Sequence, residues 1–98
     1  MHARLIDLTF GKTTAVNKPV FRIGRCLSYV DFCIVNLAVS RSHCEIVSRA
    51  DACYLRDRNS TNYTYLNGTQ LLPNKEYRLR HGDRIKLANA EYRFEEVL

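Results

Sequence analysis

No stretch of this 98-residue chain approaches the roughly 20 consecutive apolar residues that a membrane-crossing helix needs. Its first residues lack the charged start, apolar run and small-residue cleavage site of a secretory leader. Both absences lead to the expectation of a soluble, cytoplasmic chain with no membrane contact within this domain. The cysteines Cys26, Cys33, Cys44 and Cys53 include no Cys-x-x-Cys pair, and no His-x-x-x-His spacing accompanies them, so a zinc site is not expected. Cys33, Cys44 and Cys53 lie inside apolar stretches, as small core residues do, which predicts free thiols in a reducing compartment rather than a disulfide framework. No metal and no cofactor are expected. No linker, repeat or low-complexity stretch interrupts the sequence. Residues 1–98 are therefore read as one domain, monomeric, serving as a module of a larger protein.

Helical periodicity is also missing, because apolar residues at 3.6-residue spacing are never sustained for three turns. What recurs instead is short runs of period-two alternation cut by Gly, Asn, Asp or Pro. Strands are predicted at 3–10, 13–16, 19–24, 31–35, 43–48, 52–57, 76–80, 83–88 and 91–97. A hairpin at 64–71 turns on Asn67-Gly68, the pair that best supplies two positive φ angles. Further turns are expected at 49–51, at His81-Gly82 and at Asn89-Ala90. Hydrophobic residues make up 46% of the chain, enough for a core, and many short, evenly spaced strands predict an all-β fold, an antiparallel β-sandwich. Residues 24–32, 36–42 and the almost wholly polar 57–64 are long for turns, and long loops on a rigid sheet framework are where binding groups sit.

The formal net charge is +5, and most of the 15 basic residues are arginine. Arginine presents a planar fork suited to phosphate and carboxylate. Basic charge alone also fits nucleic acid, an anionic surface or a merely solvated face. Nucleic-acid binding would want exposed aromatics interleaved with basic residues. Here Phe21, Tyr65, Tyr77, Tyr92 and Phe94 alternate with polar neighbours as core or half-buried sheet residues, and Arg78, Arg80, Arg84 and Arg93 read as solvated strand faces.

The stretch Ser40-Arg41-Ser42-His43 admits two readings. A nucleophile and its base would need an orienting third group and an oxyanion hole. Ser40 stands in no Gly-x-Ser-x-Gly elbow, and nothing singles out one acid for His43, so no enzymatic activity is expected. The second reading is anion capture. Arg25 follows Gly24 at a strand end, Ser40 and Arg41 precede a strand, and Ser60, Thr61 and Asn62 occupy the polar loop. A phosphate ester carries about −1.5 to −2 charges at neutral pH and three strong acceptor oxygens, and it is held by guanidinium forks with short hydroxyl and amide donors.

The ordered set Ile23-Gly24-Arg25, Ser40–His43, Asp57–Asn62, Leu66–Leu71 and Leu79–Leu87 resembles the forkhead-associated (FHA) domain, a phosphothreonine-peptide-binding module, over nearly the whole chain. The resemblance implies a sandwich of about eleven strands, FHA/SMAD-like, with binding loops at one end. It implies that Arg25 and Ser40 meet phosphate oxygens and that Arg41 contacts phosphate or peptide. Thr61 would reach the phosphate through its hydroxyl or backbone, and Asn62 would hold the peptide main chain. His43 would brace the loops without touching ligand, with Gly24 and Ser60 as further structural support. The implied partner is a phosphothreonine-containing protein or peptide in Ser/Thr kinase signalling, with no nucleic acid.

One position departs from the family pattern Ser-x-Asn-Gly-Thr, because Tyr63 stands in the glycine's place. Glycine serves where φ is positive or backbone comes close. A tyrosine there either bears strain, about 1–2 kcal/mol if φ is positive, or marks a turn made at negative φ. Its ring covers the peptide groove or extends it. A phosphate-independent interaction or self-association module on the same sandwich is the alternative function.

Overall fold

The period-two runs become strands because alternate side chains on each can enter one shared core while their neighbours face water. In a computed structural model, which describes residues 2–97, the strands are β1 (His2–Asp7), β2 (Thr13–Val16), β3 (Val20–Gly24), β4 (Phe32–Cys33), β5 (Cys44–Ser48), β6 (Cys53–Asp57), β7 (Thr64–Leu66), β8 (Thr69–Gln70), β9 (Glu76–Arg78), β10 (Arg84–Leu87) and β11 (Ala90–Val97). They form a six-stranded sheet, β2-β1-β11-β10-β7-β8, and a five-stranded sheet, β4-β3-β5-β6-β9. Leu5, Ile85, Leu87 and Phe94 of the first sheet meet Ile23, Ile46 and Leu55 of the second, all at most 1% exposed. Phe32 and Tyr92 join the sheets near one edge, edge to face with centroids 5.8 Å apart. Burial drives the Tyr92 hydroxyl pKa up to about 12, so the phenol stays protonated and neutral inside the sandwich.

The expected hairpin at Asn67-Gly68 is present, with φ of 50° and 85°, the double positive that this turn demands. Two expectations are corrected, and one pairing within the expected antiparallel sandwich runs parallel. The first strand ends at Asp7 rather than residue 10, because the Asp7 carboxylate accepts the amides of Thr9 (2.8 Å) and Phe10 (3.1 Å) and bends the chain. The turn before the last strand lies at Ala88-Asn89, one residue earlier than expected, with Ala88 at φ 55°. The sandwich is not wholly antiparallel, since β4 runs parallel to β3. The cause is the return of residues 25–31 alongside β3. The Asp31 amide donates to the Arg22 carbonyl (2.8 Å), and the Asp31 carboxylate accepts the Arg22 amide (2.8 Å) and the Lys18 ammonium (2.8 Å). The chain then re-enters in the direction of β3 and pairs for two residues.

All four cysteines are free. Cys44 and Cys53 are buried, and burial, with Asp57 and Glu45 nearby, pushes the Cys44 thiol far above its usual pKa. Such a thiol is inert. Cys33 is only half-buried, less than its apolar neighbours suggest, because β4 is an edge strand. Its thiol donates to the Arg25 carbonyl at 3.2 Å.

The pairing registers set the ends of the sandwich. Ile23 pairs with Cys44 and Cys44 with Asp57, so the β3–β4, β4–β5 and β6–β7 loops leave the same rim. Thr64 pairs with Leu87, which brings the β10–β11 turn to that rim as well. Gly24 joins the first two of these loops by close approach. A Cβ there would lie 2.2 Å from the Arg41 carbonyl oxygen and 2.9 Å from that of Ser40. Because the obstructing atoms are backbone, Gly24→Ala is expected to force β3 and the β4–β5 loop apart, destabilising the fold by about 1–3 kcal/mol. Chemical denaturation of the two proteins measures this, and an unchanged midpoint contradicts the steric argument.

Candidate anion-binding site

Three consecutive residues of the β4–β5 loop tie the rim together. The Ala38 carbonyl accepts Asn62 Nδ2 (2.8 Å), the Val39 carbonyl accepts Arg25 Nε (3.0 Å), and Ser40 Oγ accepts the Thr61 amide (3.0 Å). The Ser40 carbonyl also accepts the Arg25 amide at 3.0 Å. One tripeptide thus fixes Arg25 from the β3–β4 loop and Thr61 and Asn62 from the β6–β7 loop.

What these bonds leave free defines the chemistry. Arg25 uses only Nε, so both terminal nitrogens of its fork remain. Ser40 accepts through its oxygen and keeps its O–H to donate. Asn62 keeps its carbonyl oxygen and one N–H. Thr61 has its amide engaged by Ser40, which leaves its exposed hydroxyl as the group available to a ligand. Arg4, Arg49, Arg56, Arg58 and Arg93 are paired with carboxylates. Among the described residues neither Arg25 nor the exposed Arg41 forms such a pair. The rim therefore holds the uncommitted fork of Arg25 beside hydroxyl and amide groups, with the exposed Arg41 on the same β4–β5 loop as Ser40.

Beneath the rim lies a buried polar brace. His43, fully buried, accepts the Ser40 amide at Nδ1 (3.0 Å), so Nε2 carries the proton and donates to the Tyr63 carbonyl (2.9 Å). The His43 carbonyl accepts the Arg58 amide (2.9 Å). Asp57, at the end of β6 and 2% exposed, accepts the Thr64 hydroxyl (2.7 Å), the Ser60 hydroxyl and the Ser60 amide (3.2 Å). The Tyr63 carbonyl also accepts the Ala88 amide (3.1 Å). Asn36 Nδ2 donates to Asn89 Oδ1 at 2.7 Å, tying the β4–β5 loop to the β10–β11 turn. Sequence reasoning assigned no role to Asp57 or Thr64. An aspartate at a strand end, three residues before a serine, is the available signal, because Asp bonds the backbone just ahead of it. The Ala38 and Val39 carbonyls carry no signal at all, being main chain.

The φ of Tyr63 is 67°, which decides between the two expectations for this residue in favour of the left-handed conformation. Desolvation pushes the His43 pKa below its ordinary value, outweighing the Tyr63 carbonyl and the Asp57 charge, which act the other way. Protonation would also turn Nδ1 into a donor facing the Ser40 amide. A histidine depressed in the folded state takes up protons on unfolding, so its stability contribution is complete above the ordinary pKa near 6.5 and is lost as pH falls below it. The thermal midpoint is expected to fall between pH 7 and 5. The slope should be shallower in His43→Gln, and equal slopes in the two proteins would remove His43 as the cause.

The family model for the FHA domain matches residues 21–88. FraH of Nostoc sp. is 47% identical over 53 residues, 54% of this chain and 18% of FraH, so the match spans less than a fifth of that relative. EmbR of Mycobacterium tuberculosis, solved in complex with a low affinity phosphopeptide, superposes with a TM-score of 0.89 at 26% identity, over 96% of this chain and 24% of that one. A structure from work on phosphothreonine-dependent FHA domain interactions superposes with a TM-score of 0.88 at 29% identity, over 100% and 99% of the two chains. The matched residues cover more than half of the sequence, and the chain belongs to the FHA domain family.

Proposed function

We propose that this chain is a non-catalytic module that captures phosphothreonine in an extended segment of a partner protein. The observation that carries the reading is the Ala38–Ser40 tripeptide. It holds Arg25, Thr61 and Asn62 side by side, with both Arg25 terminal nitrogens and the Ser40 hydroxyl proton uncommitted. Family membership and the phosphopeptide-bound and phosphothreonine-dependent neighbours support it. In this reading Arg25 and Ser40 grip the phosphate with charge-assisted hydrogen bonds, and Arg41 and the Thr61 hydroxyl add donors at its flank. Asn62 pairs with the peptide main chain, while Gly24, His43 and Ser60 keep the loops in place. The module is a single unit over residues 1–98, needs no metal or cofactor, and works as a monomer in the cytoplasm within kinase signalling and a longer protein.

Hydrogen bonds to charged groups contribute about 1.5–3 kcal/mol each. Arg25→Ala is therefore expected to weaken a phosphothreonine peptide by at least about 2 kcal/mol, more than tenfold. Arg25→Lys keeps the charge but loses the fork and should fall between the two. Calorimetric titration with matched phosphorylated and unphosphorylated peptides reads both effects. Equal affinity of the parent for the two peptides sinks the function, and equal affinity of parent and Arg25→Ala removes Arg25 from the site.

A further inference from the structure

Tyr63 carries an unexplained conformational cost. Its φ of 67° lies where a bulky L-residue is a genuine outlier, and such outliers persist where the surroundings enforce them and cluster at functional sites. The backbone need is clear, since the Tyr63 carbonyl receives both His43 Nε2 and the Ala88 amide. Glycine would meet that need without strain. The side chain gives the core little in return, because the residue stays 47% exposed, and among the described residues its hydroxyl makes no hydrogen bond. The reason for a ring at this position therefore lies outside the folded interior.

The ring is not alone. Eight large apolar residues are exposed among those described, and five of them, Leu27, Tyr29, Val35, Leu37 and Tyr63, stand on the three loops that carry the cradle. Asn62, next to Tyr63, is bonded to the carbonyl of Ala38, next to Leu37. That bond brings the chain positions of Leu37 and Tyr63 together beside the Asn62 amide, and both residues are exposed there.

The geometry points to Tyr63 as a specificity-determining residue, whose ring, with Leu37, takes an apolar side chain flanking the phosphothreonine. This rests on the phosphopeptide reading above and adds the ligand's chemical class: a phosphorylated segment with an aliphatic or aromatic residue beside the modified threonine. The strain is retained because the ring serves the complex rather than the free fold.

The test uses Tyr63→Gly and Tyr63→Phe with two sets of phosphothreonine peptides, one with leucine or phenylalanine at the flanking positions and one with glycine or serine there. The parent is expected to prefer the apolar set. Tyr63→Gly should lose about five- to tenfold on the apolar peptides and less than twofold on the others, while its melting temperature stays level or rises. Tyr63→Phe should match the parent, since the ring and not the hydroxyl is used. A drop in the melting temperature of Tyr63→Gly with unchanged affinities would make the tyrosine a purely structural residue and overturn the inference. A concentration-dependent dimer of the parent in sedimentation, lost in Tyr63→Gly without any change in peptide affinity, would overturn it in favour of a second copy of this chain. If the parent ignores phosphorylation altogether, both this inference and the phosphopeptide reading fail. If phosphate dependence holds but the two mutant profiles coincide with the parent, only the inference fails.

Discussion

The constraint on which the rest depends is the set of hydrogen bonds that Ala38, Val39 and Ser40 accept from groups on two other loops. None of the three residues is held by a strand of its own. They are positioned from below by His43, which receives the Ser40 amide and reaches across to Tyr63, and from the side by the missing Cβ of Gly24. Net values for single neutral hydrogen bonds are near 1 kcal/mol, so no one of these contacts fixes the rim. Their effect comes from convergence on a few consecutive atoms, where moving one partner disturbs the others.

Burial gives the rim its rigidity and its vulnerability. His43, Asp57, Ser60 and Thr64 are polar residues inside a β core, and no buried side-chain nitrogen or oxygen among the described residues lacks a partner. A polar network satisfied throughout specifies one arrangement, and one left partly unsatisfied is worse than an apolar core. The two halves differ in kind. Asp57 organises the β6–β7 loop locally, through residues three and seven positions away. His43 links two loops that are remote in sequence. The first is expected to tolerate rim movement, whereas the second defines the rim.

Much of this was legible in the residues themselves. Period-two alternation located the strands, and Asn67-Gly68 declared its turn through the φ angles that only such pairs supply readily. The fragments around Arg25, Ser40 and Asp57–Asn62 pointed to one end of a sandwich. Other features depended on information that no local pattern holds. The parallel pairing of β4 follows from Asp31 binding Arg22 on both its backbone groups, a contact between a loop and a strand. Gly24 was readable as support for the site loops, but the contact behind that role is with a carbonyl seventeen residues away (residue 41). The sign of φ at Tyr63 was undecidable from the letter, since it is imposed by the two donors that meet its carbonyl.

The groups of the proposed site sit at positions 25, 40–41 and 61–62, on three loops, two joining strands of the five-stranded sheet and the third crossing from it to the six-stranded sheet. No short segment of the chain therefore holds a partial site, and contacts so distant along the chain form only after loop closure has been achieved. Recognition is thereby an all-or-none property of the finished sandwich. Any bound ligand then adds its free energy to the whole cooperative unit, shielding strands it never touches.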